Sequence, residues 1–212
     1  MPPYTLETLS LPPHDRSYRT VSDPGMLAAI ARPEVNAILW ARRLPPRLLR
    51  AAAVVAAAGP FAAVAEAPPD RAADALPEFA STPLPAELLH DIRMLAVLFA
   101  LLTGRPEAVR IRLEAIHGPG CWRWHTDAVG LRLLCTYSGP GTELWTASAG
   151  TAAARALPTC ARGTVLPTGA VALLKGEGFP GNAGAGCIHR APQQTGPRLL
   201  LCLDEPGRIP CP

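Results

Sequence analysis

Residues 109–137 read VRIRLEAIHGPGCWRWHTDAVGLRLLCTY, and the order of patterns within them sets the fold class. Over 109–116 apolar and polar residues alternate with a period of two, the mark of a strand with one buried face. His117-Gly-Pro-Gly120 then interrupts the pattern, because Gly and Pro favour turn dihedrals over the strand interior. An apolar run of strand length follows at 131–137, and two more lie at 169–175 and 198–203. Gly/Pro clusters at 138–142, 176–186 and 192–197 separate them. Many short strands punctuated in this way argue for a sandwich or jelly roll.

Upstream of Val109 the chain changes character, with only 3 of the 18 Gly and none of the six Cys before it. Residues 26–31, 34–43, 46–58 and 86–103 are Ala/Leu-rich segments that read as helices. Pro33, Pro46 and Pro85 stand at or just before the starts, and Gly59 and Gly104 stand where C-caps are expected. Leu88, Leu89, Ile92, Leu95, Ala96 and Phe99 recur at helical spacing, so this last helix is expected to buttress a sheet. The expected class is α+β, with a jelly roll in the C-terminal half braced by N-terminal helices. The expected division is a Pro/Ala-rich helical region over 1–84, followed by the buttressing helix and β-rich domain over 85–212.

Between the first two strands lies CWRWHTD, residues 121–127. In extended backbone, residues i and i+2 face one side, so His125 and Asp127 can direct an imidazole nitrogen and a carboxylate oxygen to one point. His189 opens a later segment, just ahead of the strand that Arg198 begins. Two His and one carboxylate on one face of a metal leave the opposite positions open, the facial triad of non-heme Fe(II) oxygenases. Arg198, nine residues beyond His189, can face the same interior and pair bidentately with a carboxylate. The competing account makes His125 a half-buried histidine bonded to Asp127, His189 incidental and Arg198 a surface charge. Trp122 and Trp124 can line an entrance or fill the core. Arg123 and Arg132 can attract an anion or stay solvated, and 176–186 can be a mobile lid or a slack connection. His117 can approach the metal or sit exposed in its turn.

Other chemistries lack their signatures. GxSxG and GxxxxGK[ST] are both missing. His90 and Asp91 are adjacent rather than one helical turn apart, and His14-Asp15 lies in a Pro-rich leader. The six Cys contain no CxxC, which disfavours zinc through Cys160, Cys187, Cys202 and Cys211 and points to reduced, mostly buried thiols. With 49% hydrophobic and 17% charged residues the chain is no disordered tail, and a net charge of +3 without a basic, aromatic-interleaved run argues against nucleic acid. The most apolar stretch, 94–102, is too short to span a bilayer, and the start MPPYTLETLS has no signal-peptide pattern, so a cytoplasmic protein with no membrane partner is expected.

The segments RLEAIHGPGCWRWHTDAVGLRLLCTYSGPGTE, GAVALLKGEGFPG and CIHRAPQQTGPRLLLCLD resemble an uncharacterised bacterial family, the domain of unknown function numbered 1826, over roughly residues 85 to 205. More distantly, the His-x-Asp, later His and following Arg are similar to Fe(II)- and 2-oxoglutarate-dependent dioxygenases, which fold as a double-stranded β-helix related to cupins. That similarity implies a dioxygenase of unknown substrate, with Fe(II) held by His125, Asp127 and His189 and the 2-oxoglutarate C5 carboxylate held by Arg198. Many of those enzymes carry Ser or Thr two residues after the Arg. Here the position is Leu200, so a hydroxyl must come from elsewhere, with Tyr137 as the candidate. Two alternatives stay open: a non-catalytic Zn-binding or metal-homeostasis protein using the same pocket, and a cupin-like metal hydrolase or isomerase. Substrate and oligomeric state are beyond the sequence.

Overall fold

The computed structural model describes residues 17–193 and 196–207. His14, Asp15, the MPPYTLETLS start and Cys211 lie outside them, as do two residues of the 192–197 turn. In chain order the elements are β1 (Ser17–Val21), a 3₁₀ segment (Pro24–Ala31), β2 (Val35–Trp40), α1 (Pro46–Ala57), β3 (Phe61–Ala67), a second 3₁₀ segment (Ala72–Glu78) and α2 (Ala86–Thr103). They continue as β4 (Val109–Ile116), β5 (Leu131–Ser138), β6 (Glu143–Trp145), α3 (Thr151–Ala156), β7 (Thr164–Val165), β8 (Val171–Lys175), β9 (Ile188–Arg190) and β10 (Arg198–Asp204).

This is a mixed α+β fold with a seven-stranded sheet ordered β1-β2-β8-β5-β10-β4-β3 and a three-stranded sheet ordered β7-β6-β9. Within the large sheet β1 and β2 are parallel and every other neighbouring pair is antiparallel. Period-two alternation sorts the large sheet into two faces. Leu131, Leu133, Cys135 and Tyr137 of β5, with Leu199, Leu201 and Leu203 of β10 and Val109, Ile111 and Leu113 of β4, share one core with α1 and α2. Leu134 and Cys202 point the other way, into a second apolar layer with Leu144 of β6 and with Leu166 and Cys187. Arg132 of β5 and Arg198 and Asp204 of β10 lie on this second face.

Helix α2 forms as its sequence dictates. Pro85 precedes it without needing an N–H, and Gly104 closes it at φ 67°, the left-handed geometry that a side chain resists. Leu88, Ile92, Leu95 and Phe99 are buried along one stripe against β4 and β10. Each contributes roughly 1.5–3 kcal/mol relative to an exposed position. Among the described residues no helix is long and apolar enough to cross a membrane.

Two expectations are corrected. Residues 34–43 contain no helix; they hold β2, which lies between β1 and β8 and is buried along nearly its whole length. A run such as VNAILW, apolar on both faces, has no period to separate strand from helix, and long-range pairing decides it. Nor are the described residues before 85 a helical region, since β1, β2 and β3 supply three of the seven strands of the large sheet. The large sheet thus draws on both sides of the 84/85 division.

Phe99 is 1% exposed at the centre of the helix-facing core. Phe99→Ala should lower the unfolding free energy by about 3–5 kcal/mol in urea denaturation, because the cavity adds to the lost transfer energy. A loss below 1 kcal/mol would show that α2 is not packed on the sheet.

Candidate metal centre

The site begins with a pair of backbone hydrogen bonds. His125 N donates to His189 O at 3.0 Å and His189 N donates to His125 O at 2.9 Å, an isolated antiparallel bridge beside β9. Directly opposed residues in such a pair project to the same face. The two imidazole centroids therefore lie 4.5 Å apart. Alternation sends the flanking side chains the other way. Trp124, Ile188 and Trp145 form a separate apolar cluster, Trp124 packs edge-on to Trp145, and the Arg190 guanidinium lies 4.1 Å above the Trp124 ring while bonding Glu143. This outer layer holds the bridge from behind.

Each histidine is oriented through Nδ1. His125 Nδ1 lies 2.8 Å from Arg123 O, and His189 Nδ1 lies 3.2 Å from Cys187 O. A carbonyl only accepts, so both Nδ1 atoms carry a proton and Nε2 is the atom each ring has left for a ligand bond. Burial pushes His189 down from 6.5 to about 4, so its imidazole is neutral at physiological pH and ready to ligate.

Asp127 completes the set. One ligand atom from each of His125, Asp127 and His189 lies within 4.8 Å of the others, and among the described residues this is the group with the donor set and geometry for a metal ion. Asp127 Oδ1 accepts from Arg132 Nη1 at 2.6 Å, whereas Oδ2 is buried, has no hydrogen-bond donor, and sits 3.3 Å from His189 Nε2. Burial alone would raise this carboxyl, but His189, Arg132 and His125 outweigh it and hold its pKa below the ordinary value. A buried, ionised oxygen grouped with two imidazoles is an arrangement that a divalent cation satisfies.

Around the ligands the structure settles several open readings. Arg132 is neither an anion attractor nor a solvated charge. It faces inward from β5, directly across from Asp204 of β10, and its Nε and Nη2 bond both Asp204 oxygens at 2.7 and 2.8 Å. Residues 176–186 are neither a lid nor a slack connection. Glu177 N donates to Asp127 O at 2.7 Å, and Glu177 Oε1 accepts from Thr126 Oγ1, Thr151 Oγ1 and Thr151 N. Its Oε2 accepts from Gly184 N, and the fully buried Asn182 bonds Asn36, Gly176 O and Ala185 O. Gly176 passes so close to the ligand segment that a Cβ there would stand 2.1 Å from Val129 O and 2.7 Å from Asp127 O. The glycine-rich stretch is a clamp on the His-x-Asp segment. Burial would raise the Glu177 carboxyl, but the bonds from Thr151, Thr126 and Gly184 prevail and lower it.

Arg198 is 3% exposed and extends from β10 on the face it shares with Cys202 and Asp204. Its Nε and Nη2 are buried without hydrogen-bond partners, and burial lowers its pKa against the attraction of Glu114. A desolvated guanidinium with open donors is set for an anion. Tyr137, the expected hydroxyl donor, is on the opposite face. An odd separation from Arg132 along β5 turns it toward the helices, where its hydroxyl donates to Asp91 at 2.6 Å beside the bidentate Arg42. Its assignment to the cofactor is corrected by strand parity.

His117 also stands apart, exposed and bonded to Ala56 O at the end of α1. Trp122 is 37% exposed with Arg123 over its ring, while Trp124 is core. Cys135, Cys187 and Cys202 are buried and Cys121 and Cys160 exposed, all as free thiols. Sequence reasoning missed Asp204, Glu177, Thr126 and Thr151. The available signal for the first was a lone charge inside the apolar run LRLLCTY and another closing LLLCLD.

A family model described as "Protein of unknown function (DUF1826)" matches residues 21–204. No curated protein matches the sequence. Among solved structures, the rice dioxygenase for auxin oxidation aligns with a TM-score of 0.52 at 13% identity, over 89% of this chain and 82% of that one. The Arabidopsis thaliana dioxygenase for auxin oxidation 1, in complex with 2-oxoglutarate, aligns at 0.47 and 12% identity over 92% and 93%. A Pseudomonas putida prolyl-4-hydroxylase aligns at 0.45 and 14% identity over 87% and 99%. At these identities the rice enzyme's likeness is one of fold.

His189 generates a pH prediction for the metal-free protein. Unfolded, it takes up a proton near 6.5; folded, it resists until about pH 4. Stability is therefore full above 6.5 and falls as the pH drops toward 4, by at most about 1.4 kcal/mol per pH unit for one proton. Urea denaturation should show this decline between pH 6.5 and 5 and a flatter profile in His189→Gln. Identical slopes in the two proteins would contradict it.

Proposed function

The chain belongs to the DUF1826 family, whose model matches it over residues 21–204, and we propose that it is a non-heme Fe(II)- and 2-oxoglutarate-dependent oxygenase. The observation that carries this reading is the occurrence of two complementary vacancies in bonding, one at the His125–His189 bridge and one on β10 of the large sheet. Asp127 Oδ2 lacks a donor beside two imidazoles, and Arg198 lacks an acceptor on β10. A cation explains the first and a carboxylate the second. A simple structural zinc site has no need of a buried, unpaired guanidinium. We infer further that the two sheets are the halves of a double-stranded β-helix, which the apolar layer between them and the rice enzyme's fold support.

In this reading His125 Nε2, His189 Nε2 and Asp127 Oδ2 hold Fe(II), and Arg198 receives the distal carboxylate of 2-oxoglutarate. When bound, the metal supplies the activation of O₂ coupled to oxidative decarboxylation of 2-oxoglutarate. The protein fixes the ligands through the 125/189 bridge and the Glu177 clamp. Arg198 sets the orientation of the acid by charge and by its planar fork. Leu134, Leu144 and Cys202 exclude water from the space between the sheets. Tyr137 has no part in this, and Leu200 leaves Arg198 without a hydroxyl at the position two residues on.

Anaerobic addition of Fe(II) and 2-oxoglutarate to the purified protein should produce a weak visible charge-transfer band. The band should be lost in His189→Ala and require at least about tenfold more 2-oxoglutarate in Arg198→Ala, since a charge-assisted bidentate contact is worth some 1.5–3 kcal/mol. In air, succinate should form without added substrate. Tightly held zinc with no band on exchange to Fe(II) would favour a zinc-binding protein and contradict the oxygenase.

A further inference from the structure

The structure leaves one buried charge unexplained by ligation or fold alone. Arg132 places three of its nitrogens on two different carboxylates. Nε and Nη2 grip Asp204 at 2.7 and 2.8 Å, in a fork that fixes the guanidinium plane, and Nη1 reaches Asp127 Oδ1 at 2.6 Å. The β5–β10 register sets Arg132 directly opposite Asp204, so the fork is built into the large sheet. Both partners are nearly inaccessible, with Arg132 9% and Asp204 2% exposed. Cys202 Sγ adds a contact to Asp204 Oδ2 at 3.5 Å.

We propose that Arg132, held by Asp204, is a positioning residue of the metal centre that reserves Asp127 Oδ1 and presents Oδ2 alone to the cation. This rests on the metal-centre reading above and deepens it. A carboxylate on a short side chain can rotate and offer either oxygen, or both. Here one oxygen is tied to a guanidinium that is itself unable to turn, and the main chain of Asp127 is fixed by the Glu177 bond to its carbonyl. What remains is a single acceptor, Oδ2, 3.3 Å from His189 Nε2 and without a donor. A role confined to neutralising Asp204 would need only the Nε and Nη2 contacts. The Nη1 contact is the part that reaches the ligand.

The test uses Co(II), whose visible spectrum reports its ligands, on the full chain. Arg132→Lys keeps the charge but has one point of donation in place of a fork and cannot hold both carboxylates. It should weaken Co(II) binding by roughly 10–100-fold in competition with a chelator and shift the Co(II) bands. Should Arg132→Lys fail to fold, the double replacement Arg132→Met with Asp204→Leu substitutes the ion pair by apolar side chains of similar bulk, an exchange that buried pairs tolerate. That double variant should stay folded, with a lower metal-free unfolding midpoint because Asp127 Oδ1 loses its donor, and still show the weakened, shifted Co(II) signal. Wild-type affinity and an unchanged spectrum in a folded variant would overturn the bridge while leaving the metal centre intact. Failure of the wild type itself to take up Co(II) would overturn both.

Discussion

The bridge between His125 and His189 is the constraint from which the site follows. Two backbone hydrogen bonds bring together residues that are 64 positions apart in sequence, and they do so at the edge of a three-stranded sheet. Because opposed residues in such a pair share a face, the imidazoles converge without any further device. Because neighbours alternate, Trp124, Ile188 and Arg190 are sent outward, where their packing and the Arg190–Glu143 pair stiffen the same backbone from the other side. Asp127 then joins the histidines two residues after His125, held at its carbonyl by Glu177 and at its side chain by Arg132.

The two layers of apolar side chains divide the labour. On the helix side of the large sheet, α1 and α2 bury the odd positions of β5 and β10, and the Arg42–Asp91–Tyr137 network ties α2 to the sheet. That side contributes rigidity. On the other side the even positions carry Arg132, Leu134, Arg198, Cys202 and Asp204, a mixture of apolar filling and buried charge. Buried charge destabilises unless it is paired, and Arg132 and Asp204 are paired completely. Arg198 is the exception, its Nε and Nη2 left open within the same layer. Unmet bonding capacity on a buried side chain marks a place where a ligand completes the structure.

Much of this was legible in the residues. Helix α2 spans 86–103 as its apolar stripe, Pro85 and Gly104 require, and β4 spans 109–116 because half-buried strands announce their period. The triad was readable for a related reason: a His-x-Asp in extended chain has only one way to share a face. Strand β2 was hidden because burial on both sides erases the period, and β6, β7 and β9 are two or three residues long, too short to carry one. Tyr137 was misplaced by proximity, although counting from Arg132 along β5 puts it on the far face. The role of residues 176–186 depended on Glu177 meeting Thr126 and Thr151, contacts 51 and 26 residues apart that no local pattern encodes. Glycine there reflects a close passage of backbone past backbone, not slack.

The most direct measurement is anomalous diffraction at the iron edge from crystals grown anaerobically with Fe(II) and 2-oxoglutarate. The account predicts one strong peak within bonding distance of His125 Nε2, Asp127 Oδ2 and His189 Nε2, with a carboxylate of the bound acid on Arg198. An absent peak, a peak elsewhere, or an acid that leaves Arg198 unpaired would contradict it.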